Sequence, residues 1–165
     1  MSREEVKIWT LGWEQIEGLC KDVAHQIVQA DLEINMVVGL SRGGLIPATI
    51  IANILGVRRV GAYQLASYEA GVKGAIQDLE DKNHLVTSIE RAENVLVVDD
   101  IVDTGSTLDY LRSRLWPQGC KLAYAALTCK CHKAPEGSWP DFIGAKIHEP
   151  MWVEFPWEPA QELPI

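Results

Sequence analysis

Basic side chains are in short supply in this chain. Its 165 residues carry 15 Lys and Arg against 23 Asp and Glu, a formal net charge of −8 and a pI near 5.0. A general nucleic-acid binder needs a basic patch or stripe, and this balance excludes that class. It does not exclude a phosphate ligand, because local dipoles and a metal ion can serve a single site. Long apolar runs are missing, so no membrane span is expected. The charged start, Met1-Ser2-Arg3-Glu4-Glu5, lacks the apolar region of a signal peptide. Cysteine is sparse: Cys20, Cys120, Cys129 and Cys131 read as free thiols of a cytoplasmic protein. The cluster Cys129-Lys130-Cys131-His132 has no second cysteine pair to complete a metal site. No internal repeat or low-complexity tract divides the chain, and its length suits a single domain, 1–165, with a real core.

What is present is organised around one stretch, Asn94 to Leu108. Val95-Leu96-Val97-Val98 is an unbroken aliphatic run, as in a strand buried on both faces of a parallel sheet. It ends in the adjacent acids Asp99 and Asp100, and Asp103 follows. Acids at the carboxyl end of a buried strand lie where open α/β sheets bind ligands. Thr104-Gly105-Ser106-Thr107 then opens a helix, offering backbone N–H groups and hydroxyls to a phosphate. A strand, an acidic pair and a phosphate cradle together predict a site for a phosphorylated sugar.

The remaining elements frame this stretch. Lys7 to Trp9 reads as a short edge strand, and Trp13, Ile16, Leu19, Cys20, Val23 and Ile27 recur at helical spacing over 13–29. Met36 to Leu40 reads as a central strand. Ser41-Arg42-Gly43-Gly44 after it makes a second anion cradle, and a helix follows to about Leu55 with Pro47 in its first turn. Further strands are expected over 60–67, 121–129 and 142–147, and a helix with the stripe Leu108, Leu111, Leu115 ends at Trp116-Pro117. The polar region 69–91 has no clean period, which at that length suggests a flexible lid. The tail carries Met151-Trp152-Val153-Glu154-Phe155-Pro156-Trp157-Glu158.

Val97 to Thr107 resembles the phosphoribosyl-pyrophosphate signature of the type I phosphoribosyltransferases. Met36 to Glu158 follows that family's order: arginine–glycine loop, Ser67-Tyr68 lid start, signature, post-strand lysine and tail. The pattern Trp152 to Glu158 resembles the purine hood of the bacterial xanthine–guanine branch. The resemblance implies an α/β fold with a mostly parallel central sheet flanked by helices, a lid over 69–91 and a small hood over 148–165. It implies a Mg2+-dependent purine salvage enzyme that moves 5-phosphoribosyl from phosphoribosyl pyrophosphate to guanine, xanthine or hypoxanthine. It also implies a homodimer or homotetramer. The alternative is a non-catalytic phosphoribosyl-pyrophosphate-binding regulator on the same fold, which the acidic pI and the presence of Asp103 disfavour.

By the same resemblance, Arg42 and Gly43 hold pyrophosphate, in a loop whose peptide after the arginine is often cis. Asp99 and Asp100 bind the ribose hydroxyls and the metal shell, with Asp100 the metal ligand. Ile101, Val102, Asp103, Thr104, Gly105, Ser106 and Thr107 complete the sugar-phosphate site, Val102 to Thr107 cradling the 5′-phosphate. Asp103 faces purine N7 as general base or acid. Trp152 stacks on the base and the Val153 backbone meets its 2-substituent. Lys130 and Lys133 compete for the 6-oxo group, and Lys130 is preferred because it ends its strand. Lys73 and Lys82 in the lid are both candidates to reach the pyrophosphate.

Overall fold

The computed structural model describes residues 7–67, 76–78, 89, 92–114 and 119–158. The elements are β1 (Lys7–Thr10), α1 (Trp13–Gln29), β2 (Met36–Ser41), α2 (Leu45–Leu55), β3 (Val60–Ser67), β4 (Ile76–Asp78), β5 (Asn94–Val102), α3 (Ser106–Ser113), β6 (Lys121–Lys130), a 3-10 turn (Glu136–Ser138), β7 (Phe142–Ile147) and β8 (Met151–Glu154). Six strands form one sheet in the order β4-β3-β2-β5-β6-β7. All its pairings are parallel except β3 with β4.

The strand order fixes where a ligand can bind. From β2 the chain moves outward to β3, then returns across β2 to lay down β5 and continues the other way to β6 and β7. The order therefore reverses between β2 and β5, which are paired in register from Met36↔Val95 to Gly39↔Val98. Loops leave this point in opposite directions and open a crevice at the strands' carboxyl ends. Both loops singled out in the sequence rise from there.

Apolar layers on the two sheet faces hold this frame. α1 buries Ile16, Cys20, Val23, Ala24 and Ile27, its 3.6-period stripe, and α2 buries Pro47, Ala48, Ile51 and Ala52. They pack with Leu96, Val98, Ala125 and Leu127 on one face. Val38, Val95, Val97, Leu108 and Leu111 fill the other face. Truncating a fully buried member such as Ile16 to Ala is worth about 2–5 kcal/mol. α2 ends at Gly56, whose left-handed φ of 70° lets Val57 N–H bond back to the Ala52 carbonyl at 2.9 Å.

Three expectations change. The lid expected over 69–91, with Lys73 and Lys82, and its start at Tyr68 lie outside the described residues except at 76–78 and 89. There it is not a featureless polar loop: β4 pairs with β3 from Leu65↔Asp78 to Ser67↔Ile76, and Ile89 is buried in the core. α3 ends at Ser113, where Arg114 turns extended, short of Leu115 and Trp116, which lie outside the described residues. The short strand expected near Lys7 does not edge the main sheet. β8 pairs in parallel with β1, Lys7↔Met151 to Thr10↔Glu154, as a separate two-stranded sheet. Residues 159–165 of the expected hood lie outside the described residues.

Candidate active site

The loop after β2 turns tightly. Gly44 N–H donates to the Leu40 carbonyl at 2.9 Å and Leu45 N–H to the Arg42 carbonyl at 3.2 Å. A cis peptide is present, but it joins Ser41 to Arg42 and so precedes the arginine. Arg42 is exposed at the crevice mouth. Gly43 lies directly against Asp100: a Cβ built there would overlap the Asp100 carboxyl group. Only a residue without a side chain lets the two loops meet this closely.

β5 runs further than its aliphatic core, through both acids to Val102. Its in–out alternation is offset by one residue across Asp99–Asp100. Leu96, Val98 and then Ile101 pack on the α1–α2 side, while Val95, Val97 and then Val102 pack on the α3 side. The acids thus occupy the step where alternation resets, at the end of the sheet, where neither core layer claims them. Local bonds fix them: Asp100 N–H donates to Asp99 Oδ1 at 2.9 Å and Ile101 N–H to Asp100 Oδ1 at 2.8 Å. The fully buried Thr128 donates its hydroxyl to the Asp100 carbonyl at 3.2 Å. Burial, and then the neighbouring Asp100 charge, pushes Asp99 well above the usual carboxylate range. Burial raises Asp100 as well.

The cradle follows. Gly105, with φ of 83°, is the N-cap of α3, and a Cβ there would overlap Ser138. Thr104 Oγ1 and Ser106 Oγ lie 3.0 Å apart, so two hydroxyls converge at the helix start. The 3-10 turn braces this end. Ser138 Oγ donates to Asp109 at 2.8 Å, and Arg112 donates to the carbonyls of Gly137 and Trp139 at 2.9 and 2.7 Å. Val102 is itself buried, so its side chain is core and only its backbone is available to a ligand.

Asp103 lies between two ammonium groups. Lys130 Nζ is 3.1 Å from Oδ1, and Lys133 Nζ hydrogen-bonds Oδ2. Oδ1 is buried, with Lys130 as its close ionic partner. Burial alone would raise the Asp103 carboxyl, but Lys133 and Lys130 outweigh it and hold it below the usual range. Lys130 also stands 5.8 Å from the Trp152 ring centroid. Trp152 is 57% exposed, while Val153 is buried against Trp9 and α1, which leaves Val153 its backbone.

Ile8 escaped the sequence reading. It pairs with Trp152 and so shares its face of the hood, and it is 62% exposed. The two large apolar side chains stand side by side on this exposed face. The signal was faint: a short strand at the chain's start says nothing about its partner.

Asp99 and Asp100 suit a hard divalent cation. They are oxygen donors whose negative charges are disfavoured without one, and Mg2+ takes one or two protein carboxylates and completes its shell from phosphates and water. Among the described residues no three His, Cys, Asp or Glu side chains form a closed metal cage.

The crevice at the switch point thus gathers paired acids, a helix start with two converging hydroxyls and an exposed tryptophan at the carboxyl ends of a mostly parallel α/β sheet. Residues 12–162 match the phosphoribosyl transferase domain, and the chain belongs to the phosphoribosyltransferase family. It is 32% identical over 151 residues to the xanthine-guanine phosphoribosyltransferase of Idiomarina loihiensis, covering 90% of this chain and 85% of that protein. Against the enzyme of the same name from Chromohalobacter salexigens it is 32% identical, covering 91% and 83%. The crystal structure of a purine phosphoribosyltransferase from Pyrococcus horikoshii superposes with a TM-score of 0.69 at 26% identity, covering 95% of this chain and 96% of that one. Among the described residues no helix is long and apolar enough to cross a membrane.

Proposed function

We propose that this protein transfers the 5-phosphoribosyl group of phosphoribosyl pyrophosphate to a 6-oxopurine, giving the nucleoside 5′-monophosphate and pyrophosphate. The observation that carries the reading is the convergence of Asp103, Lys130 and Trp152 beside the cradle. A 6-oxopurine presents a flat face, a ring N–H and a carbonyl oxygen. Trp152 meets the face, Asp103 accepts from the N–H, and Lys130 donates to the carbonyl. The names of the matched relatives support this reading over the regulator.

The chain's own residues account for the chemistry. The C1–N bond to the purine forms as the C1–O bond to pyrophosphate breaks, through a cation-like C1. Asp99 and Asp100 hold the ribose hydroxyls, so that the ring flattens in place. N–H groups of Gly43 and of Thr104 to Thr107 replace water around the two phosphate ends. Arg42 adds positive charge beside the leaving group. Asp100 would hold Mg2+, which would supply positive charge to offset that on the leaving pyrophosphate. As one imidazole nitrogen of the purine gains the sugar, Asp103 takes the proton from the other, a step typically worth about 10²–10⁴-fold.

Steady-state kinetics of Trp152→Ala test the assignment of the base. Base–aromatic stacking is worth about 1–3 kcal/mol, so the purine KM should rise roughly 5- to 150-fold. The KM for the sugar pyrophosphate should stay near wild type. Equal rises in both would remove Trp152 from the base site.

A further inference from the structure

Asp103 faces a conflict within the proposed reaction, on which this inference rests. It must stay ionised and correctly turned at the moment when its enclosed partner is drawn away. Lys130 is the partner placed to leave. Its side chain is 13% exposed, and its ammonium stands 3.1 Å from Oδ1 and 5.8 Å from the Trp152 ring centroid. A base stacked on Trp152 brings a carbonyl to that ammonium and a ring N–H to the oxygen it vacates. Lys133 is different. Its side chain is 48% exposed at the rim and it hydrogen-bonds the opposite oxygen, Oδ2. The turn after β6 puts it there: Lys133 N–H and Ala134 N–H both donate to the Lys130 carbonyl at 2.9 Å, folding the chain back over the strand end.

We propose that Lys133 is a positioning residue for Asp103, holding Oδ2 so that Oδ1 is presented to the purine when Lys130 turns to the 6-oxo group. The two lysines then divide the work: Lys130 reads the base, and Lys133 keeps the general base charged and aimed. Among the described residues, the charged groups acting on Asp103 are Lys133 and Lys130, both from the end of β6 and its turn. Among the described residues, losing Lys133 leaves the carboxylate with Lys130 as its ion-pair partner, and Lys130 is the one the base draws away.

The test compares Lys133→Met, Lys133→Arg and Lys130→Met with wild type, using hypoxanthine and saturating phosphoribosyl pyrophosphate from about pH 3.5 to 9, so that the scan covers the acid limb of a carboxyl held below the usual range. For Lys133→Met, the acid limb of kcat should move up by about half a unit to one unit, a shift discounted for the exposure of the pair. On that limb, at pH values below the shifted midpoint, kcat should fall about three- to tenfold, with the hypoxanthine KM within twofold of wild type. Lys133→Arg should restore the limb, because it keeps the charge. Lys130→Met should instead raise the hypoxanthine KM at every pH. An unmoved acid limb in Lys133→Met overturns the proposal. So does a KM defect matching that of Lys130→Met, which would make Lys133 a second base reader. Absence of transfer by the wild-type protein to hypoxanthine, guanine and xanthine alike would sink the proposed function itself, which separates the two failures.

Discussion

Gly43→Ala probes the meeting of the two loops. The added Cβ would lie within 3.0 Å of all three atoms of the Asp100 carboxyl group, closer than real Cβ atoms approach. Gly43 is not among the glycines with positive φ, so alanine is compatible with the backbone there, and the whole effect is the collision. Relieving it shifts the Asp100 carboxyl or the Arg42–Gly43 loop by about 1 Å, and a displacement of that size at a reacting centre costs roughly 10²-fold. We expect kcat/KM for phosphoribosyl pyrophosphate to fall about 10²-fold, some 2.7 kcal/mol of transition-state stabilisation. The thermal midpoint should move by no more than a few degrees. Gly18→Ala is the control: Gly18 sits on the exposed face of α1 with nothing within 4 Å of an added Cβ. That change should add about 0.5–1 kcal/mol of stability and leave the kinetics alone. A folded Gly43→Ala protein with wild-type kcat/KM would refute the claim that the loops form one site.

Asp103→Asn should lower kcat by about 10²–10⁴-fold, measured at saturating substrates, with little change in either KM. The same variant has a stability signature. The folded-state value for Asp103 is depressed, so its contribution is present above the unfolded carboxylate value near 3.9 and is lost as pH falls through the folded one. Melting scans should therefore show Asp103→Asn less stable than wild type at pH 7 and converging with it below about pH 4; a gap that widens in acid would reverse the sign argued here. Gly105→Ala combines a left-handed φ with overlap onto Ser138 and should cost about 1–3 kcal/mol in denaturant unfolding. A neutral result would mean that the cradle does not depend on that packing.

The parts legible in the sequence are those written in local periodicity. The Val95–Val98 run and its acids located β5 and the crevice, and the 13–29 stripe located α1. The strands at 60–67 and 142–147 were bounded by turn residues on each side. What escaped is non-local. The pairing of β1 with β8 depends on contacts between the two ends of the chain, so neither the hood's second strand nor Ile8 beside Trp152 announces itself. β4 carries one apolar residue, Ile76, too little to show a period. The choice between Lys130 and Lys133 was open because counting along the chain does not give the course of the turn; in three dimensions both reach Asp103, one at each oxygen.

The central claim is the transfer itself. The direct measurement is pyrophosphate release from phosphoribosyl pyrophosphate with Mg2+ and, in parallel, guanine, xanthine, hypoxanthine, adenine and uracil. The account predicts turnover with at least one 6-oxopurine and none with adenine, which lacks the 6-carbonyl that Lys130 would read, or uracil, which lacks the imidazole N–H that Asp103 would read. Turnover with adenine or uracil in preference to the 6-oxopurines, or tight binding of the sugar phosphate with no turnover on any base, would contradict it.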